Sequence, residues 1–149
     1  DCSTQPIFSN FASMDALRLA VVAAADAQYQ SYIQREIEKG EYPPYKASGM
    51  AYIRFAKEEK ELFKLLYMRD RSAEQPPKEA GLSGQLESLV HNSTGFSGAR
   101  AGLFHLEMWA YVHGVAAMLA TGFLELDWPL ISQMLTDAYM GLKKRFEEE

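Results

Sequence analysis

The chain has 149 residues, is 48% hydrophobic and 12% aromatic, and carries a formal net charge of −5, with 20 acids against 15 bases. Its length fits one domain and its apolar share supplies a real core, which excludes a disordered chain. The acidic balance argues against a free-standing nucleic-acid binder, and the single cysteine, Cys2, excludes a disulfide-stapled secreted scaffold and fits a reducing, cytoplasmic setting.

Residue choice favours helix. Val, Ile and Thr together number 14, against 56 for Ala, Leu, Met and Glu. Unbranched side chains lose little freedom on entering a helix, whereas β-branched ones are stiff. An all-α chain is expected. It opens on Asp1 rather than methionine, so an upstream part is expected to have been removed, and no basic start, apolar run and small-residue cleavage site marks a secretory leader.

The first predicted helix is capped by Ser13, with Asp15 in the first turn where the backbone dipole is positive. Leu17, Val21, Ala24, Gln28 and Tyr32 recur at helical spacing, with Val22, Tyr29 and Ile33 widening the apolar face. Gly40, then Pro43 and Pro44, end it. A second helical stretch covers about 45–68, with Met50, Ile53 and Ala56 in one stripe and Leu62, Phe63, Leu65, Leu66 and Tyr67 in a denser one. The polar run from Lys57 to Glu61 between them marks a bend or a break. Arg69 to Pro77 reads as a proline-containing loop, and a shorter helix over about 82–92 sets Leu82, Leu86, Leu89 and Val90 on one side.

From Ala101 to Leu124 the only charged side chain is Glu107. A bilayer span needs about 20 apolar residues. Here His105, Glu107 and His113 interrupt the run and no basic anchor closes it, so no membrane span is expected. The segment reads instead as a helix buried on all sides, in a core or a subunit interface. Gly114, Ala116, Ala117 and Ala120 would let a second helix approach closely. The last helix is expected near Asp127, with Pro129 tolerated in its first turn. Leu130, Met134, Leu135, Ala138 and Leu142 give its face, and Lys143, Lys144 and Arg145 suit its negative end. The two final helices form an αα-hairpin, and two such hairpins across a two-fold axis make a four-helix bundle.

Chemistry-bearing residues are sparse. His105, Trp109 and His113 stack along one helix face, but the two histidines stand about 12 Å apart by helix rise, too far to share one ion. They read as buried or interface histidines, with His105 also a candidate ligand contact. Cys2 has no neighbouring base, and Ser48-Gly49 and Ser83-Gly84 are turns or helix starts rather than a phosphate loop. With no secretory signal visible, Asn92-Ser93-Thr94 is expected to match the glycosylation pattern by chance, in a loop. No catalytic constellation is present, so neither an enzyme nor a metal or cofactor site is expected. The stripes formed by Tyr52, Phe55, Phe63, Tyr67, Phe104, Met108 and Trp109 either fill a core or line a cavity.

Three stretches carry a family resemblance. In Cys2-Ser3-Thr4-Gln5-Pro6-Ile7-Phe8-Ser9-Asn10-Phe11-Ala12-Ser13-Met14-Asp15-Ala16-Leu17, the residues Ile7, Phe8 and Phe11 fit a short recognition helix of the type V-S-x-x-x-I/L-Y-x-x-F. Ser13 fits the turn that follows it, and Asp15 and Leu17 the start of a long connecting helix. This resembles the end of the helix-turn-helix in the TetR/AcrR family of bacterial transcriptional regulators. Tyr52-Ile53-Arg54-Phe55-Ala56 with Glu61-Leu62-Phe63-Lys64-Leu65-Leu66-Tyr67 is similar to a stretch of that family's ligand domain. Trp109-Ala110-Tyr111-Val112-His113-Gly114 resembles the tryptophan-histidine-glycine signature of one C-terminal subclass.

The resemblance implies a TetR-like all-α ligand-binding domain that forms a homodimer through a four-helix bundle of its last two long helices. Residues 1–12 would be the remnant of the recognition helix and residues 13–149 the ligand-binding and dimerisation domain, with the rest of the helix-turn-helix upstream of Asp1. Thr4, Gln5, Phe8, Ser9 and Asn10 would face DNA, with Phe8 lacking the hydroxyl of the usual tyrosine and Met14 replacing the usual lysine. Lys60 stands where many relatives have proline, implying a softer bend or a continuous helix.

Function follows as a ligand-responsive regulator, a repressor that meets operator DNA only as the full-length protein. Its apolar or aromatic effector would be surrounded by Met50, Phe63, Tyr67, Leu86, Val90, Phe104, His105 and Met108. The dimer would join through Trp109, Val112, Ala116, Leu119, Ile131, Leu135 and Ala138. On the residues alone, a helical small-molecule carrier with no DNA role stays open beside it, and an enzyme built on His105 and Glu107 ranks last.

Overall fold

The computed structural model describes residues 10–70, 72 and 84–148, and among these the ordered elements are all helices. The first, α1 (Met14–Lys39), starts where Ser13 takes an extended backbone and its Oγ accepts from the Ala16 N–H at 3.1 Å. It stops at Gly40, whose φ of 66° lets its N–H fold back onto the Ile37 carbonyl. From Met14 to Ala24 no residue is buried and Leu19 is 71% exposed, so the N-terminal half of α1 projects from the body. Ala25 is its first buried residue.

Helix α2 (Pro44–Glu58) is the centre of the fold, burying Tyr45, Ala47, Met50, Ala51, Tyr52, Ile53, Phe55 and Ala56 between α1 on one side and the long helix Gly98–Ala120 on the other. A single non-helical residue, Glu59, separates it from α3 (Lys60–Tyr67). The segment is therefore broken, not continuous, although Lys60 is not a proline. The Glu59 carboxylate accepts from Gln28 Nε2 at 2.8 Å, and the change of direction carries Phe63 to full burial in the main core.

Helix α4 (Gly84–Thr94) leads through Phe96 into α5 (Gly98–Ala120), and α6 (Trp128–Glu147) returns alongside α5, capped by the Asp127 carboxylate on the Leu130 N–H. Two clusters fill the interior. The larger joins α1, α2, α3, α5 and α6 around Phe55, Phe63, Ile53, Leu119 and Ile131. The smaller lies at the other end of α5, where Phe104 meets Phe96 and Phe146 edge-on at 5.5 and 5.4 Å and Val90 closes the group from α4. Helix α2 passes so close to α5 and α6 at Gly49 that an added Cβ would lie 3.2 Å from Leu135 Cδ2.

The apolar run behaves differently from the expectation of burial on all sides. Helix α5 buries the face formed by Ala101, Phe104, Met108, Val112, Val115, Ala116 and Leu119, while Leu103 and Leu106 on the opposite face remain 51% and 58% exposed. Among the described residues no helix is long and apolar enough to cross a membrane.

This orientation turns most of the expected dimer face inward. Val112, Ala116, Leu119, Ile131 and Leu135 are buried within the chain, Ala138 packs against the smaller cluster, and Trp109 faces a cavity. The physical reason is α2, which needs an apolar, small-residue surface on the hairpin and takes this one. Outward on α5 stand Leu103, Leu106, Glu107, Ala110, Tyr111 and Gly114, and on α6 Leu130, Gln133, Asp137, Met140 and Gly141 are among the exposed residues. Of the residues expected at DNA, Thr4, Gln5, Phe8 and Ser9 lie outside the described residues, and Asn10 is exposed where the description begins.

Candidate functional site

The helices enclose a cavity of about 740 Å³. Small-molecule sites span roughly 300–1,000 Å³ and are mostly apolar with a few placed polar groups. Helix α1 contributes Tyr29, Gln30 and Ile33, and α2 contributes Tyr45, Lys46, Gly49 and Tyr52. Tyr67 comes from α3, and Leu86, Leu89, Asn92 and Ser93 from α4. His105, Met108, Trp109 and Val112 line the α5 side; Leu135, Thr136, Tyr139 and Met140 line the α6 side.

One wall is aromatic. Tyr52 meets Tyr29 edge-on with centroids 5.7 Å apart, lies 5.0 Å from Tyr67 and 6.4 Å from Trp109. Trp109 in turn stacks on His113 at 5.0 Å. Such rings present flat, weakly polar surfaces and hold one another in place by edge-to-face contact.

Two tyrosine–histidine pairs tie α2 to α5. Tyr45 Oη is 3.0 Å from His105 Nδ1, and Tyr52 Oη is 2.8 Å from His113 Nδ1. The pairing follows from helix geometry: seven residues on α2 and eight on α5 are each about two turns, so partners recur at matching heights. Burial lowers the pKa of both histidines, which keeps them neutral at pH 7, and burial raises both tyrosines, which keeps their hydroxyls protonated. Each pair is thus a neutral hydrogen bond, and His105 presents the rest of its ring to the cavity.

A charged linkage joins the end of α1 to the rest. The Glu36 carboxylate, 1% exposed, accepts from Arg54 Nε at 2.8 Å and Lys39 Nζ at 2.6 Å. Burial alone would raise its pKa, but the two cations hold it below the ordinary carboxylate value. The Arg54 guanidinium also lies 4.1 Å from the centre of the Trp128 ring at the start of α6.

Of the eight residues expected around a ligand, Tyr67, Leu86, His105 and Met108 share the cavity wall. Met50, Phe63, Val90 and Phe104 do not; each is 0% exposed and fills a core cluster. Helical spacing identifies an inward face but cannot say whether a neighbour fills the space in front of it. The sequence reading missed Tyr45, Lys46 and Tyr139. The seven-residue interval from Tyr45 to Tyr52, set against His105 and His113, was the available signal.

Residues 45–139 match the family model described as tetracyclin repressor-like, C-terminal domain. No curated protein and no solved structure gives a match.

Proposed function

Because the chain belongs to the tetracyclin repressor-like C-terminal domain family, we propose that it is the effector-binding and dimerising portion of a ligand-responsive transcriptional regulator, acting as a repressor. The observation that carries the reading is that α1 is shared between the two ends of the molecule. Its C-terminal half lines the cavity through Tyr29, Gln30 and Ile33, while its N-terminal half projects with Met14 and Leu19 exposed. Residues 1–12 and the segments proposed upstream of them would form the DNA reader on that projecting half.

Induction then follows from differential binding. An effector that fits better when α1 is displaced shifts the population towards that position and lowers operator affinity by the same free energy. The Glu36–Arg54–Trp128 linkage ties the C-terminal end of α1 to α2 and α6, so it would serve as the pivot about which a shift at the cavity tilts the projecting end.

The same reading assigns homodimer formation to the outward faces of α5 and α6. Leu103 and Leu106 are followed on the same face by the small Ala110 and Gly114, with Glu107 beside them, and Leu130 and Gly141 stand outward on α6. Exposed small residues between larger apolar ones suit close helix packing across a two-fold axis. An effector of apolar or aromatic character suits the cavity wall, and the cytoplasm suits a DNA-binding regulator.

The test is the coding sequence immediately 5′ of the Asp1 codon. About 30–40 in-frame residues with two amphipathic helices and a basic flank are expected. A start codon directly before Asp1 would overturn the regulator reading in favour of a small-molecule carrier.

A further inference from the structure

The cavity wall is asymmetric in charge. Among the described residues that line it none is Asp or Glu, and the one permanently charged side chain is Lys46. Lys46 Nζ donates to Ser132 Oγ at 2.7 Å and to Thr136 Oγ1 at 2.9 Å, and sits 4.7 Å from the centre of the Tyr42 ring. An ammonium has three donors, so two neutral hydroxyls leave one donor and the whole charge without an anionic partner. The contrast with Lys57 is direct: that lysine, also half-buried, pairs with the Glu125 carboxylate at 3.5 Å. Among the described residues Lys46 forms no ion pair.

We infer that the effector is an amphipathic carboxylate, an acid group on a flat apolar body, whose carboxylate pairs with the Lys46 ammonium while its body lies against Tyr52, Tyr67 and Trp109. This rests on the cavity being the effector site. Three considerations carry it. A charge taken partly out of water without a counter-ion is unfavourable, and an anion delivered by the ligand offsets that cost. Burial lowers the Lys46 pKa, the direction a bound carboxylate would reverse. Length also agrees, because Lys46 and Tyr52 are separated by about 9 Å of helix rise, a span that suits a two-ring body. The rival occupant is an organic cation, since tyrosine and tryptophan faces attract positive charge. Lys46 in the same space repels it, and no carboxylate among the described lining residues compensates.

Isothermal titration of the 149-residue chain with three probes of one shape separates the cases: naphthalene-2-carboxylate, 2-naphthylmethanol and (2-naphthylmethyl)trimethylammonium. The carboxylate is expected to bind about tenfold tighter than the alcohol, as for a charge-assisted hydrogen bond, and its affinity to fall with added salt. In Lys46→Met the gap between carboxylate and alcohol closes to about twofold, and in Lys46→Arg most of it remains. Circular dichroism melts establish that both variants fold, and Lys46→Gln substitutes for the methionine variant if that one does not. Equal binding of carboxylate and alcohol, tightest binding of the ammonium probe, or a gap that survives removal of Lys46 would each overturn the carboxylate inference while leaving the cavity as a ligand site. Binding of none of the three would overturn the cavity reading itself, and the inference with it.

Discussion

The two faces of α5 both carry large apolar side chains, the outer one with Glu107 among them, and have opposite fates. Inward, Phe104, Met108, Val112, Val115 and Leu119 are all at most 7% exposed, packed by α2 and α6. Outward, Leu103 and Leu106 keep more than half their surface, with Ala110 and Gly114 beside them. Both faces alternate large and small residues, so both are shaped for a helix to lie on them. Only the inner face has that helix within the chain. Hydrophobicity therefore fixes that a surface needs cover, and the identity of the cover comes from tertiary packing or from a second copy.

The largest expected effect breaks the inner face. Phe104 is fully buried and makes edge contacts with Phe96, Phe146 and Tyr139, so Phe104→Ala leaves a ring-sized void in the smaller cluster. A loss of about 3–5 kcal/mol is expected in urea unfolding. A loss under about 1 kcal/mol would mean that this end of α5 is not a close-packed core.

Two residues along, Leu106→Glu attacks the outer face alone. The side chain has no core to leave, so the folded protomer should keep its helix content. A carboxylate at the centre of a two-fold apolar contact should weaken self-association on the order of a hundredfold in sedimentation velocity. A parent that sediments as a monomer, or a variant that associates as tightly as the parent, would place the dimer elsewhere.

The seam between the faces holds the two histidines. Burial lowers both pKa values below the ordinary 6.5, so in the folded state they resist protonation that the unfolded chain accepts. The unfolded state then binds more protons, and stability should hold above about pH 6.5 and fall as pH drops below it. Glu36, held low by Lys39 and Arg54 against its burial, adds a second loss as pH falls below its ordinary 4.5. Urea midpoints measured from pH 8 to pH 5 test the first window, and His113→Gln should flatten part of that slope. A pH-independent midpoint across that range would show that the imidazoles are solvated.

How much of this was readable in advance depends on range. Ser13, Gly40 and Asp127 announce helix ends because capping is local chemistry, settled within three or four residues. The break at Glu59 was half readable: the polar run marked it, but the burial of Phe63 and the bond from Gln28, 31 residues away, complete it. The fate of α5 was not readable, since an all-round apolar helix fits either orientation until α2 is placed against it. The cavity posed the same difficulty. Phe104 and His105 are neighbours on one helix, yet one fills a core and the other faces open space, because the difference lies in Phe96 and Phe146 from other segments. Nothing near Lys46 in sequence marks it, and only the return of α6 with Ser132 and Thr136 draws it into the wall.

The smallest expected effect sharpens the contrast between the two tyrosine–histidine pairs on that seam. Tyr45→Phe and Tyr52→Phe each remove one hydroxyl and keep the ring, so the tilted contact to Phe104 and the edge contact to Phe63 persist in kind. Each loses a neutral hydrogen bond worth about 0.5–1.5 kcal/mol. The partners differ in what they can do next. His105 and His113 are both partly buried, but His105 lines the cavity while His113 is covered by the stacked Trp109 ring. Freed His105 can turn its nitrogen to cavity water, so Tyr45→Phe should fall at the low end of that range and change probe affinity in the cavity. Freed His113 has less room, so Tyr52→Phe should cost more stability. If the two variants lose equal stability and bind naphthalene-2-carboxylate alike, the pairs are interchangeable struts, and the cavity does not depend on the orientation of His105.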